Sequence, residues 1–578
     1  MFSVLPSFRD PKGLEKEVGY MKKGFLLLLL AMILVSSLAI GQVYDRKETL
    51  YAGGGLWSPP NNWNPFTPWA IMTGTNGLIY EFLFMFDPLS NEMIPWLAVD
   101  GGWIDGKTYE LKLRDNVFWT DGEKFDAEDV KFTFDIAKKY PGVHYSSMWN
   151  WMKEVEIIDT LTARVHFTEP LYQQWSFQLY QLPMVPEHIW KNKTEAEILT
   201  GANEGPIGTG CYLAEGYGQD RMIYLRNENW WGIEQLGIKP TPKRIVYLTV
   251  SGNNVALGMI FKGELDISNF FLPGVPAVKA AYGIHTYFDG APYMLSDNTA
   301  VLFLNNSRKP MDDVNFRKAV AWAINSDDIV TRVFENQVIR SNPLGFLPID
   351  AWMKYYDEKV VEQYGFKYDP VVSKKTLADA GYKDINGDGF VEAPDGSKVE
   401  LSIIVPFGWT DWMESIKIIA NNLKTVGINA KAEFPDYSRY QDELYSGRFD
   451  MAINNFNSNL SNTVWSYYYW LFWDIREQQT QGNYGKYNNP KAFELMGAFD
   501  RTPVDDYEAG QKIMLELEEL FLKEIPYVPL WFNGMWFQAS TSVWSNWPSE
   551  HGPHYYPCTW NGKWQLGGIF MLSALKAE

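Results

Sequence analysis

Cysteine is nearly missing from this chain: Cys211 and Cys558 are the only two in 578 residues. That excludes a disulfide scaffold, so a large hydrophobic core has to hold a fold of this length. Long apolar runs are scarce too. The best one, Phe25 to Ile40, has 16 residues and is broken by Ser36-Ser37, short of the ~20 that a bilayer span needs. Enzyme signatures are also missing, with no Gly-x-Ser-x-Gly elbow, no His-Glu-x-x-His, no phosphate loop and no Gly-x-Gly-x-x-Gly. Positive charge is in deficit. The formal net charge is −19, or −21 without residues 1–41, which hold five bases and three acids. So acidic a surface repels phosphate backbones, which argues against a nucleic-acid partner.

What is present begins at the N-terminus. Met21-Lys22-Lys23, the apolar run and Ala39-Ile40-Gly41 make a secretory signal peptide with cleavage expected before Gln42. Residues 1–20 then read as a start-site extension, and a retained N-terminal anchor is the alternative. No cysteine lies near the cleavage point, which argues against a lipid anchor. The expected location is periplasmic or extracellular, where a Cys211–Cys558 disulfide is one option. The remaining 537 residues imply several lobes at ~100–200 residues per domain. Aromatics are abundant, with 25 Trp, 33 Tyr and 34 Phe. Many of the Trp sit beside Asn, Pro and Gly in loop-like sequence, which suggests solvent-facing platforms besides core.

Strands alternate with helices. Lys107 to Arg114 alternates apolar and polar residues as a half-buried strand does, and Asp126 with Asp129 caps a helix from Ala127 to about Tyr140. Four strands run directly into unusual loops. Glu48–Ala52 precedes a Gly-, Trp- and Asn-rich stretch with Trp57, Asn61, Trp63 and Asn64. Arg244–Val250 precedes Asn253 and Asn254. Val399–Val405 precedes Trp409 and Trp412, with a helix that stops near Gly427 and a strand from Ile428 to Phe434. Phe449–Ile453 precedes Asn454, Asn455, Asn457 and Asn459. Loops at the carboxyl ends of strands are where open α/β sheets bind ligands. Asn offers two donors and an acceptor on a neutral arm, suited to hydroxyls; ordinary turn chemistry is the bland alternative.

Several segments resemble one family, the extracellular solute-binding proteins of the oligopeptide, nickel and oligosaccharide type. They are Asp105 to Arg114 running into Trp119-Thr120-Asp121-Gly122-Glu123 and Ala127-Glu128-Asp129-Val130, then Gly208-Thr209-Gly210, Asn229-Trp230-Trp231 and Gly263 to Ile267. Phe316 to Ile324, Ala380-Gly381-Tyr382 and Ile525 to Leu530 follow in family order. The resemblance implies an α/β, two-lobed periplasmic-binding-protein fold of type II, in the large cluster with an extra subdomain. It places the first lobe at 42–75, 205–292 and 530–578, the subdomain at 76–204 and the second lobe at 293–529. It adds Trp531, Asn533 and Trp536 to the candidate ligand-binding set. It also implies a monomeric, non-catalytic subunit that delivers its solute to the transmembrane permease of an ABC importer. In peptide-binding relatives an aspartate in the segment after a Phe-Asp pair meets the peptide's amino group. Here Asn459 aligns best with that acid, and no Asp or Glu occurs from Met451 to Trp473. The chain therefore looks like the branch that binds neutral, β-linked oligosaccharides, with a peptide receptor and a secreted glycoside hydrolase as alternatives. The hydrolase would need two carboxylates about 5–10 Å apart.

No cofactor is required by this reading. Asp384, Asn386 and Asp388 nevertheless match the start of a calcium loop, with the Phe390 carbonyl and Asp395 at the seventh and twelfth positions. A polar hairpin on Asn-Gly and Asp-Gly turns is the alternative. His551, His554 and Cys558 have metal-like spacing but no evident fourth partner, and read as a tail loop.

Overall fold

The computed structural model describes residues 44–54, 60, 62–66, 73–455, 461–472, 482–559 and 564–578. The alternation at 107–114 becomes the strand Thr108–Leu113, and the helix expected from Ala127 spans Ala127–Lys139. Asp126 and Asp129 cap that helix reciprocally, each side chain accepting a backbone N–H of the other end of the box.

Two sheets organise the chain. The first has seven strands, in the order Ile284–His285, Gln538–Ser540, Ile267–Ser268, Thr49–Gly53, Arg244–Leu248, Arg221–Arg226, Tyr212–Tyr217. Thr49–Gly53 lies near its centre, parallel to both neighbours. The second has six, in the order Ile339–Arg340, Tyr527–Met535, Leu295–Leu304, Met451–Asn454, Glu400–Ile404, Asn429–Glu433. The last three of these are mutually parallel. Each sheet is the middle of one lobe, and helices such as Thr410–Thr425 and Tyr507–Glu524 bury apolar faces against the second.

The chain passes from the first sheet to the second between His285 and Leu295, and returns between Met535 and Gln538. The return falls later than residue 530, where it was expected. Tyr527–Met535 pairs along its length with Leu295–Leu304, so residues 530–535 belong with the second sheet. The two crossings lie side by side, with the Phe537 amide 3.3 Å from Met294 Sδ. Next to them, the Tyr556 hydroxyl donates to Asp297 across the lobes at 2.6 Å.

A smaller antiparallel sheet of Ala98–Asp105, Thr108–Leu113, Thr162–Phe167 and Met152–Asp159 packs under the helix Ala127–Lys139. One buried carboxylate joins this unit to the first lobe. Glu81 accepts the indole N–H of Trp96 (2.9 Å), Trp230 (3.1 Å) and Trp231 (2.8 Å). The family-like Asn229-Trp230-Trp231 segment is thus a set of donors for a buried acid. Cys211 and Cys558 are both buried and are not bonded to each other, so the optional disulfide is not formed.

Burial lifts the Glu81 carboxyl from 4.5 to about 7, against the pull of its indole donors. The folded state therefore holds this proton more tightly than the unfolded chain. The stability tied to it is complete below pH 4.5 and is lost as the pH rises towards about 7. Glu81→Gln is expected to flatten that part of the melting-temperature curve. It should also lower the curve as a whole, because the amide nitrogen cannot accept from an indole and a stranded buried donor costs about 1–3 kcal/mol. Thermal melts from pH 5 to 8 check this; a curve that overlays the wild type's contradicts it.

Candidate functional site

The loops at the carboxyl ends of the parallel strands face each other across the two lobes and touch on two flanks. On one flank Asn253, in the first turn of Asn253–Phe261, donates to Thr410 Oγ1 and Asp411 Oδ1, each at 3.3 Å. Both acceptors lie in the first turn of Thr410–Thr425. On the other flank the Glu335 carboxylate accepts the Gly274 N–H through both oxygens, at 3.0 and 2.9 Å. Gly274 is the N-cap of Val275–Tyr282, so a second-lobe acid caps a first-lobe helix. Beside it Gln337 Nε2 donates to the Leu272 carbonyl (3.1 Å), and Phe334 packs edge-on against Phe271.

Between the flanks, in strand order, lie Thr49–Gly53 in one sheet and Met451–Asn454 in the other. The middle of the interlobe cleft therefore lies at the carboxyl ends of these two strands. Trp57, Asn61, Asn457 and Asn459 lie outside the described residues. Asn454 and Asn455, at the end of Met451–Asn454, are half-buried, and the Asn455 amide donates to Asn454 Oδ1 at 2.8 Å. Asn254 is exposed next to the buried Asn253.

Other residues of the expected ligand set have partners within the protein. Asn64 is fully buried: its amide donates to the carbonyls of Ile198 (2.8 Å) and Gly201 (3.0 Å), and its oxygen accepts the Phe66 N–H. Trp63 packs edge-on against Tyr217. Trp531 is a core residue packed at a tilt against Phe334, and Asn533 Oδ1 takes its indole N–H. Trp536 fills the space between Phe271 and Phe334 at the crossing. Trp412 is buried under Trp409. In each case a large or polar residue next to Gly and Pro reads like a loop platform in sequence, while its partners come from more than a hundred residues away or from the turn beneath it.

Trp409 is half-buried at the cleft edge, with Trp412 at 5.0 Å, Tyr437 at 5.9 Å and Tyr440 at 6.4 Å between ring centroids. Phe407 and Tyr437 are the exposed members of the same rim. Asp411, Glu335 and Gln337 were not among the residues expected at the site. Nothing local marks Glu335 or Gln337, which follow a short helix and meet the other lobe only through the fold. Burial lifts the Asp411 carboxyl to about 6, opposed by its own amide, the Trp412 amide and the Asn253 side chain.

In the calcium-like loop Asp384 accepts the amides of Gly387 and Gly389, Asn386 that of Asp388, and Asp388 that of Phe390. Asp395 has partners of its own. Its carboxylate pairs with Lys309 at 3.0 Å and takes both the amide and hydroxyl of Ser397. A separate cavity of about 710 Å³ opens at the amino ends of the parallel strands, away from the cleft, among Asn306, Arg317, Lys486 and Glu524. Of its charged groups, Arg317 donates to the Met311, Glu524 and Ile525 carbonyls, and the Glu524 carboxylate accepts from Tyr487 and Asn489.

Two lobes on paired crossings, with facing loops at the carboxyl ends of their strands, define a solute-binding protein that closes on its cargo. The model of the bacterial extracellular solute-binding proteins, family 5 (middle), matches residues 92–477, and this chain belongs to that family. It is similar to the periplasmic oligopeptide-binding protein of an oligopeptide ABC transporter from Thermotoga maritima, at 50% identity over 93% of this chain and 100% of that one, with a TM-score of 0.90. The same protein has been solved with mannohexaose bound, at a TM-score of 0.88. Among curated relatives, the oligopeptide-binding protein AppA of Bacillus subtilis is 22% identical over 80% of this chain and 82% of its own length. The dipeptide-binding protein of Escherichia coli is 28% identical over 62% and 68% respectively. The protein is the substrate-binding, non-enzymatic subunit of an ABC importer and works outside the cytoplasmic membrane, with permease subunits as partners. Among the described residues no helix is long and apolar enough to cross a membrane. The signal segment expected to end at Gly41 lies outside them.

The Trp409 cluster makes its ring part of the second lobe as well as of the rim. Trp409→Ala is expected to destabilise the ligand-free protein by about 1–3 kcal/mol through lost ring contacts, besides weakening binding. Thermal melts with and without ligand separate the two effects. A ligand-free melting temperature equal to the wild type's would leave the ring as a platform alone.

Proposed function

We propose that the solute is a neutral oligosaccharide of β-linked sugars, held between the lobes by amides and aromatic rings. What carries this reading is the Thermotoga maritima protein, half identical to this chain across nearly all of it, which was solved with mannohexaose bound. The sequence supports it. No acid occurs from Met451 to Trp473 to meet a peptide's amino group, and an ammonium enclosed without a counter-charge is strongly disfavoured. Asn254, Asn454 and Asn455, with Trp409 and Tyr437 on the rim, supply neutral donors and flat apolar faces suited to hydroxyls and pyranose rings. The competing reading, an oligopeptide, draws on the names of the 22–28% identical relatives. The chain is proposed to act as a monomer, with residues 76–204 as an extra subdomain of the first lobe.

Calorimetry against mannohexaose, other β-linked di- to hexasaccharides and a tripeptide pool decides between the two. Saturable sugar binding without release of reducing ends is the expected outcome; tight tripeptide binding with no response to any sugar overturns it.

A calcium ion held by Asp384, Asn386, Asp388, the Phe390 carbonyl and Asp395 is a further proposal. Asp395 would have to leave Lys309 to join the set, and the other four alone fall short of the 6–8 oxygens calcium takes, so binding should be weak. Millimolar calcium is expected to raise the melting temperature slightly and chelator to reverse it; no change retires the site.

A further inference from the structure

We propose that Asn253 and Asp411 form a closing latch: they position the lobes around the solute without touching it, and couple closure to proton uptake. The contact joins the first turns of two helices in different lobes, Asn253–Phe261 and Thr410–Thr425. On that flank Asn253 is the cross-lobe partner of Asp411 among the described residues, and its amide reaches both Asp411 Oδ1 and Thr410 Oγ1. Such a contact exists only while the lobes meet, so it adds to the closed form and nothing to the open one.

Asp411 makes the latch sensitive to pH. It is buried at the contact, and the groups acting on it are its own amide, the Trp412 amide and Asn253; among the described residues no charged side chain does. Opening the lobes takes Asn253 away and lets water reach the carboxylate. Closing therefore raises its proton affinity towards the value of about 6 that the buried carboxyl has here. By linkage, closure takes up a proton and is favoured as the pH falls through about 6. Well above that pH it proceeds with an ionised, partly desolvated carboxylate whose cross-lobe donor is Asn253. The inference needs lobes that close, and does not depend on which solute they hold.

The test measures the dissociation constant and off-rate for mannohexaose, with a tripeptide pool in parallel, between pH 5 and 8. The proteins are wild type, Asn253→Ala and Asp411→Asn, each first shown to melt within a degree or two of wild type when ligand-free. Wild type should bind roughly 3–10-fold more tightly at pH 5 than at pH 8. Asp411→Asn should be nearly independent of pH and close to the wild type's acid value. Asn253→Ala should bind roughly 3–10-fold more weakly at pH 8, through faster release, with the defect shrinking at pH 5. A residue that merely supports its own lobe would shift no pH profile. Equal profiles for the three proteins overturn the latch. If neither probe binds wild type, the oligosaccharide reading fails separately. Small-angle scattering of the free protein then decides: wild type should contract between pH 8 and 5 and Asp411→Asn should not, and an absent contraction overturns the proposal.

Discussion

The covalent chain crosses between the lobes at two places, and those crossings lie against each other. The strand Leu295–Leu304 begins just after the first crossing and Tyr527–Met535 ends just before the second, and the two strands pair along their length. A single crossing would let the lobes swivel freely. Two adjacent ones leave mainly a bending motion, which brings the same loop ends together each time. The paired flanks at Asn253 and Glu335, and the position of the cleft between them, all follow from that constraint.

Charge is handled unusually for so acidic a protein. Several carboxylates are buried without a salt bridge among the described residues and are met by neutral donors instead. Glu81 has three indoles, Asp129 has Trp119 and the amides of Asp126 and Glu187, and Asp500 has the Gln174 amide. Burial lifts Asp129 to about 6 and Asp500 to about 7. Each neutral donor offsets part of the desolvation, and each site links two parts of the chain distant in sequence. The acids thus act as junctions within and between units, while the surface keeps the bulk of the negative charge.

The aromatic richness divides by role. Trp96, Trp230 and Trp231 are donors to a buried acid, and Trp531 and Trp536 fill the space around the crossings with Phe271 and Phe334. The rim cluster of Phe407, Trp409 and Tyr437 keeps the Phe407 and Tyr437 rings exposed beside a half-buried Trp409. A tryptophan buries more area than other side chains and still needs a partner for one N–H, so it is useful wherever a core must hold a polar group in place.

The fold class and its family were legible in the chain alone. Period-two alternation at 108–113, the capping box at Asp126 and Asp129 and the strand–loop–helix units at 244–261 and 400–425 depend on near neighbours, so local sequence carried them. The placement of the cleft at the carboxyl ends of the strands was also readable, because it follows from topology. The roles of individual residues were not. Asn64 and Trp531 look like binding residues in sequence and are core in three dimensions, while Glu335 and Asp411 look ordinary and meet the other lobe. Composition records what a side chain can do, but its partners come from segments up to hundreds of residues away. Burial and hydrogen-bond satisfaction exist only once the lobes have packed, and so only the tertiary structure decided them.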